Sequence, residues 1–232
     1  MSLLLMAVAP IFVIILYIYF QDKFDKEPKW LLFFSFLLGA VGSIIIVTIL
    51  YLITGRLLPI TDEFSIVQQF IQAFVVVALA EEFSKYIIVK YFAQTRKAFN
   101  EPYDGIMYAV MVSMGFACTE NILYVLEGGY GVAILRAFTA VPAHATFGVL
   151  MGYYMGKAKF SNNRFSLNMA GLLLATLFHG AYDFFLFINF IPGISIGAFV
   201  SLIVAIILSR KAIKIHQRNS YFKPSNNPTE HV

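Results

Sequence analysis

The sequence contains one cysteine and one tryptophan, and only 13% of its 232 residues are charged. The lone Cys118 excludes an internal disulfide and a cysteine-rich metal centre. Soluble domains carry about 25% charged residues, so this shortage leaves too little polar surface to face water. Neither a G-x-S-x-G nucleophile elbow nor an H-E-x-x-H zinc motif occurs. Internal repeats of solenoid length are missing too, as is any separate soluble domain. A net charge of +4 does not mark a nucleic-acid surface.

Apolar residues dominate instead, at 59% of the chain, with 24 Phe and 13 Tyr. A membrane helix needs about 20 consecutive apolar residues, and seven such spans can be drawn. They cover 2–20, 31–53, 66–92, 104–126, 131–156, 166–190 and 193–209. The expected fold is therefore all-α, a polytopic transmembrane bundle of about seven spans over residues 1–210. A basic to polar tail, 211–232, follows and is expected to be mostly disordered. The first span lacks a basic leader and reads as an uncleaved anchor. At "NFIPG", Pro192-Gly193 either separates the last two spans or kinks one long helix.

The basic residues give an orientation. Odd-numbered connections carry Lys23, Lys26 and Lys29, then Arg96 and Lys97, then Lys157, Lys159 and Arg164. The tail adds Arg210, Lys211, Lys214, Arg218 and Lys223, whereas even-numbered connections hold only Arg56. Positive loops stay inside, which predicts an outer N-terminus, a cytoplasmic C-terminus and an odd number of crossings. Gly148, Gly152 and Gly156 recur every fourth residue on span five and predict a close helix contact.

Charge inside such spans costs about 2.5–3.5 kcal/mol per residue at mid-helix, so each instance needs a reason. Span three holds Glu81, Glu82 and Lys85, span four Asp104 and Glu120, span five Arg136 and His144, and span six His179 and Asp183. At a 1.5 Å rise per residue, Glu81 and Glu82 fall within about 5 Å of the bilayer centre and the two histidines within about 3 Å. Glu120 and Asp183 lie about 7–8 Å towards the outer side on the same count. Acids and imidazoles from separate helices thus share a depth, which scattered polar residues would not. Glu81 and Lys85 are four apart and predict an ion pair, while Glu82 points about 100° away from Glu81. Asp183, four residues after His179, is placed to fix its tautomer. Pro142 predicts a kink that opens space beside His144. Asp104 reads as a helix-entrance anchor and Arg136 as a snorkelling residue.

Two carboxylates and two imidazoles around a wet cavity suit water activation by a glutamate, with an imidazole donating to the oxyanion and no cofactor required. Glu81 or Glu82 would be the base, with the other held by Lys85; Glu120 and Asn121 would support the site. Zinc on His144, His179 and Glu81 or Glu82 is the rival arrangement. Each group also has a plainer reading, as a structural ion pair or a satisfied core histidine. Beyond peptidase chemistry, intramembrane acids and histidines also mark proton- or ion-coupled transporters, and the glycine face alone would suit a scaffold.

"DKFDKEP" (22–28), "EEFSK" (81–85), "EPYDGIMYA" (101–109), "GFACTENILY" (115–124), "PAHATFGVLMGYYMGKAKF" (142–160) and "HGAYDF" (179–184) stand in an order that resembles the PrsW family of intramembrane proteases. That family is distantly similar to the CAAX prenyl endopeptidase and abortive-infection group, in which a double glutamate and two later histidines form the site. The resemblance assigns those roles to Glu81, Glu82, His144 and His179. It further implies a multi-pass protein of the bacterial plasma membrane. The implied reaction is site-1 cleavage of a single-pass membrane protein, typically an anti-sigma factor. It leaves glutamate and metal mechanisms both open.

Overall fold

A computed structural model describes residues 2–224. Among these, every regular element is a helix, and seven helices follow one another: α1 (Leu3–Gln21), α2 (Lys29–Leu57), α3 (Ile66–Ala93), α4 (Pro102–Phe138), α5 (Ala140–Lys159), α6 (Arg164–Phe187) and α7 (Ile196–Arg218). Their outward faces are apolar: Phe20, Phe33, Leu52, Leu123, Leu173 and Ile207 are all more than half exposed. Lipid, not water, suits such a surface, because a helix pairs the backbone polar groups of its interior within itself.

Local sequence explains most boundaries. Ser2 caps α1 through a hydrogen bond from the Leu5 N–H. Pro102 opens α4 behind a reciprocal capping box of Glu101 and Asp104. Asp104 also accepts the Asn100 N–H at 2.6 Å, so it is the expected anchor of the α3–α4 turn. Three stretches are π-helical: Leu38–Ser43 in α2, and Gln72–Ala78 and Val89–Ala93 in α3. The α3 stretches lie on either side of Leu79–Ile88, the segment that carries both glutamates.

Six stretches are long and apolar enough to cross a membrane, and one of them, Pro102–Lys159, has 58 residues. It doubles back on itself. Gly129 takes φ 72°, a conformation that a side chain would resist, and the helix breaks there and again at Thr139. The start of α4 then lies against the end of α5: Gly105 meets Gly152 and Gly156 so closely that any Cβ would collide with backbone. The glycine stripe therefore does what its spacing predicts, seating α5 on the buried first half of α4.

Two expectations change, and one alternative left open is decided. Pro142 does not kink a span; it sits in the first turn of α5, where its missing N–H has no intrahelical partner to lose, and the break comes at Thr139 instead. The last two spans are separate helices, parted by a turn in which Gly193 takes φ 78°. The tail drawn from residue 211 begins as helix, since α7 runs on to Arg218. Ala212, Ile213 and His216 continue its buried face, leaving Lys211 and Lys214 exposed, and the His216 ring stacks on Tyr153 at 4.4 Å. Residues 225–232, the end of the expected disordered tail, lie outside the described residues.

Candidate active site

The four residues singled out by the double glutamate and the later histidines meet. Successive glutamates on a helix diverge by about 100°, so Glu81 and Glu82 cannot share one direction. Glu81 lines a cavity of 640 Å³ between α2, α3, α4, α5 and α6, together with His144 and His179. Glu82 is wholly buried behind it and does not line the cavity.

Glu82 organises the layer beneath. Its Oε1 accepts from Lys85 Nζ at 2.7 Å and faces His179 Nδ1 at 2.9 Å. The expected Glu81–Lys85 pair exists, but at 3.6 Å, so Lys85 belongs first to Glu82, three residues away instead of four. The ammonium also lies 4.3 Å over the Phe116 ring and 3.4 Å from His144 Nδ1. An ammonium this buried has exchanged water for two carboxylates, an imidazole and an aromatic face.

The two rings are 5.3 Å apart and nearly perpendicular. Phe147 stacks on His179 at 4.8 Å and fixes the plane of that ring. His179 Nε2 is 3.3 Å from Asp183 and 3.9 Å from Glu81, as the four-residue spacing to Asp183 anticipates. His144 Nε2 faces Glu120 at 2.9 Å. Glu120 is in turn bound by Arg136 Nη2 at 2.7 Å, and Arg136 Nε donates to Asn121 Oδ1 at 2.8 Å. Asn121 is tied to α1 through the Ala7 carbonyl. Lys85, Glu120, Asn121 and Asp183 thus all surround the four central groups.

Two residues at this site were not legible as such. Arg136 does not snorkel: it turns inward to Glu120 and stacks over Tyr124 at 4.2 Å, because the break at Gly129 brings the end of α4 back beside its earlier part. Tyr51, on α2, donates to Glu81 Oε1 at 2.8 Å from a position thirty residues earlier. An apolar span with one tyrosine carries no signal for that contact.

The donor set also fits a metal. Glu81, His144 and His179 each offer a ligand atom, all within 4.8 Å of one another. Glu81 Oε2 is buried with no hydrogen-bond partner, an orphan that an ion would satisfy. His144 has one nitrogen on a carboxylate, Glu120, as metal-binding histidines do, whereas His179 has both, Glu82 on Nδ1 and Asp183 on Nε2, so an ion would have to displace Asp183. Lys85 competes for the remaining nitrogen of His144.

Residues 27–210 match the model of the family described as PrsW family intramembrane metalloprotease. The chain is 41% identical to a "Protease PrsW" of Oceanobacillus iheyensis over 187 residues, 80% of this chain and 83% of that one. It is 36% identical to a "Protease PrsW" of Geobacillus kaustophilus over 229 residues, 98% and 96% of the two chains. Identity to a "Protease PrsW" of Bacillus subtilis is 35% over 181 residues, 77% and 80%. No solved structure matches significantly. With the matched region enclosing Glu81, Glu82, His144 and His179, the chain belongs to the PrsW family of intramembrane proteases.

Proposed function

We propose that this chain hydrolyses a peptide bond in a single-pass membrane protein, with Glu81 as the general base that draws a proton from water and returns it to the leaving amine. The observation that carries the reading is the division of labour between the two glutamates. Glu81 alone lines the cavity, with one oxygen steadied by Tyr51 and the other free to take a proton. Glu82 gives its Oε1 to both Lys85 and His179, and its Oε2, though unpartnered, is buried away from the cavity. His179 is fixed by Glu82 and the Phe147 face, and it would donate its Nε2–H to the oxygen that gains charge by giving up Asp183, 3.3 Å away. His144, Glu120 and Arg136 form the opposite wall, where Glu120 neutralises the arginine inside the cavity.

Zinc is the alternative, with Glu81, His144 and His179 as the residues that would hold it. Bound there, zinc would polarise the scissile carbonyl and lower the pKa of water to about 7. If zinc is held, wild-type protein loaded with it and then desalted keeps about one ion per chain, and Glu81 is then a ligand and not the base. The His144→Ala/His179→Ala variant is expected to keep none. Metal analysis of both decides it, and a wild type that holds no zinc leaves water activation to Glu81 alone.

On the orientation given by the basic loops, the cavity lies in the outer half of the bilayer, which suits a cut near the outer face. An anti-sigma factor is the substrate that the family resemblance points to. Membranes from cells with and without this chain can be compared for newly formed N-termini. The expected result is new termini in one or a few single-pass proteins, a sigma-factor-binding one among them. If no single-pass protein gains a terminus, the peptidase reading fails.

A further inference from the structure

The residues around the cavity are not equally covered. Among the lining residues, the exposed ones are Thr48 on α2 and Leu123, Tyr124 and Leu135 on α4. Those contributed by α3, α5 and α6 are buried or partly buried. The cavity therefore has a mouth on one side, between α2 and α4. Its rim is mostly apolar and faces sideways, where lipid lies, while the charged groups sit at its inner end.

The two halves of α2 differ in how they are held. The first half is fastened to α4, with Leu31, Leu32 and Ser35 buried, and the stretch that follows it is pinned there by Thr119, which donates to the Ala40 carbonyl at 2.8 Å. The second half, Ile44–Leu57, has only Val47 buried, in a small cluster with Ala80 and Phe116. Between the halves lies the π-helical stretch Leu38–Ser43, whose Ser43 hydroxyl is buried without a partner. A wide helical turn with a spare donor is a natural place for a helix to bend, because the displaced carbonyl bonds can be re-formed locally. The loose half nevertheless carries Tyr51, which reaches across the cavity floor to Glu81.

We infer that the substrate's own membrane segment is admitted sideways between Ile44–Leu57 of α2 and the Leu123–Tyr124 edge of α4, with the second half of α2 acting as a gate that swings about Leu38–Ser43. The occupant is a single apolar helix, since a polar chain would meet lipid-facing Leu123 and Leu135 before it met any charge. Tyr51 is a positioning residue in this scheme: it holds Glu81 from the moving half, so that the carboxylate and the gate are in register. This inference rests on the peptidase reading above and adds the route.

The test bridges the mouth. Cys118 is first replaced by alanine, and Thr48→Cys and Leu123→Cys are joined by a short bis-maleimide with a reducible centre, with bridging verified by mass. The probe is the single-pass protein identified from its new N-terminus, in liposomes, and a control bridge joins Leu173→Cys to Leu177→Cys on the exposed face of α6, away from the mouth. The enzyme bridged at the mouth is expected to cut the anchored protein at least tenfold more slowly than the same sample after reduction, and the enzyme bridged on α6 less than twofold more slowly. Equal rates at the bridged mouth before and after reduction overturn the gate. So does an equal loss with both bridges, which would make the effect one of cross-linking in general. A wild type that does not cut the anchored protein sinks the peptidase reading, which the bridged-to-reduced ratio does not address.

Discussion

Glu81→Gln is expected to lower kcat by about 10²–10⁴-fold, the usual contribution of a positioned general base, with KM nearly unchanged. The amide still accepts from Tyr51 and fills the same volume, so the cavity wall is preserved. What disappears is the unpartnered Glu81 Oε2, 3.9 Å from His179 Nε2, which could receive a proton. Thermal unfolding of the purified variant should stay close to that of the wild type, because losing one buried charge also relieves its desolvation cost. Kinetics on the reconstituted protein, with the substrate identified from its new N-terminus, provide the measurement. A variant with wild-type kcat would remove Glu81 from the chemistry and return the role of base to Glu82 or to a bound metal.

Lys85→Met is expected to destabilise the protein by about 3–5 kcal/mol, the penalty for leaving a buried carboxylate without its cation. Glu82 has no exposed surface, and the ammonium at 2.7 Å is its nearest positive charge. Methionine fills most of the space but satisfies neither Glu82 nor His144. Adding Glu82→Gln to Lys85→Met should recover part of the loss, since no bare charge then remains, and the four-variant cycle isolates the pair. Equilibrium unfolding in mild detergent reads all four proteins. If the single Lys85→Met variant were as stable as the wild type, Glu82 would have another source of compensation and the buried pair would not organise the site.

Much of the fold was readable because a membrane helix must be apolar along its length and cannot leave backbone groups unpaired. The membrane-crossing helices and the seat of the glycine stripe both follow from that rule. The shared depth of the acids and imidazoles was readable for the same reason: charge is costly enough in a bilayer that its position along each span carries information. Arg136 was misread because its helix turns back at Gly129, and a single glycine does not announce its φ. Pro142 was misread because its effect depends on whether it falls in a first turn or an interior one.

The amino-acid sequence by itself determined an all-helical membrane protein, the identity of its buried acids and histidines, and the pairing of Asp183 with His179 through helix periodicity. Only the tertiary structure decided that Glu81 faces the cavity while Glu82 lies behind with Lys85, and that Tyr51 and Arg136 belong to the site. The reason is angular. Periodicity relates residues on one helix, but the rotation of a helix about its own axis is set by its neighbours, and in α3 π-helical turns on both sides of the glutamates shift it further.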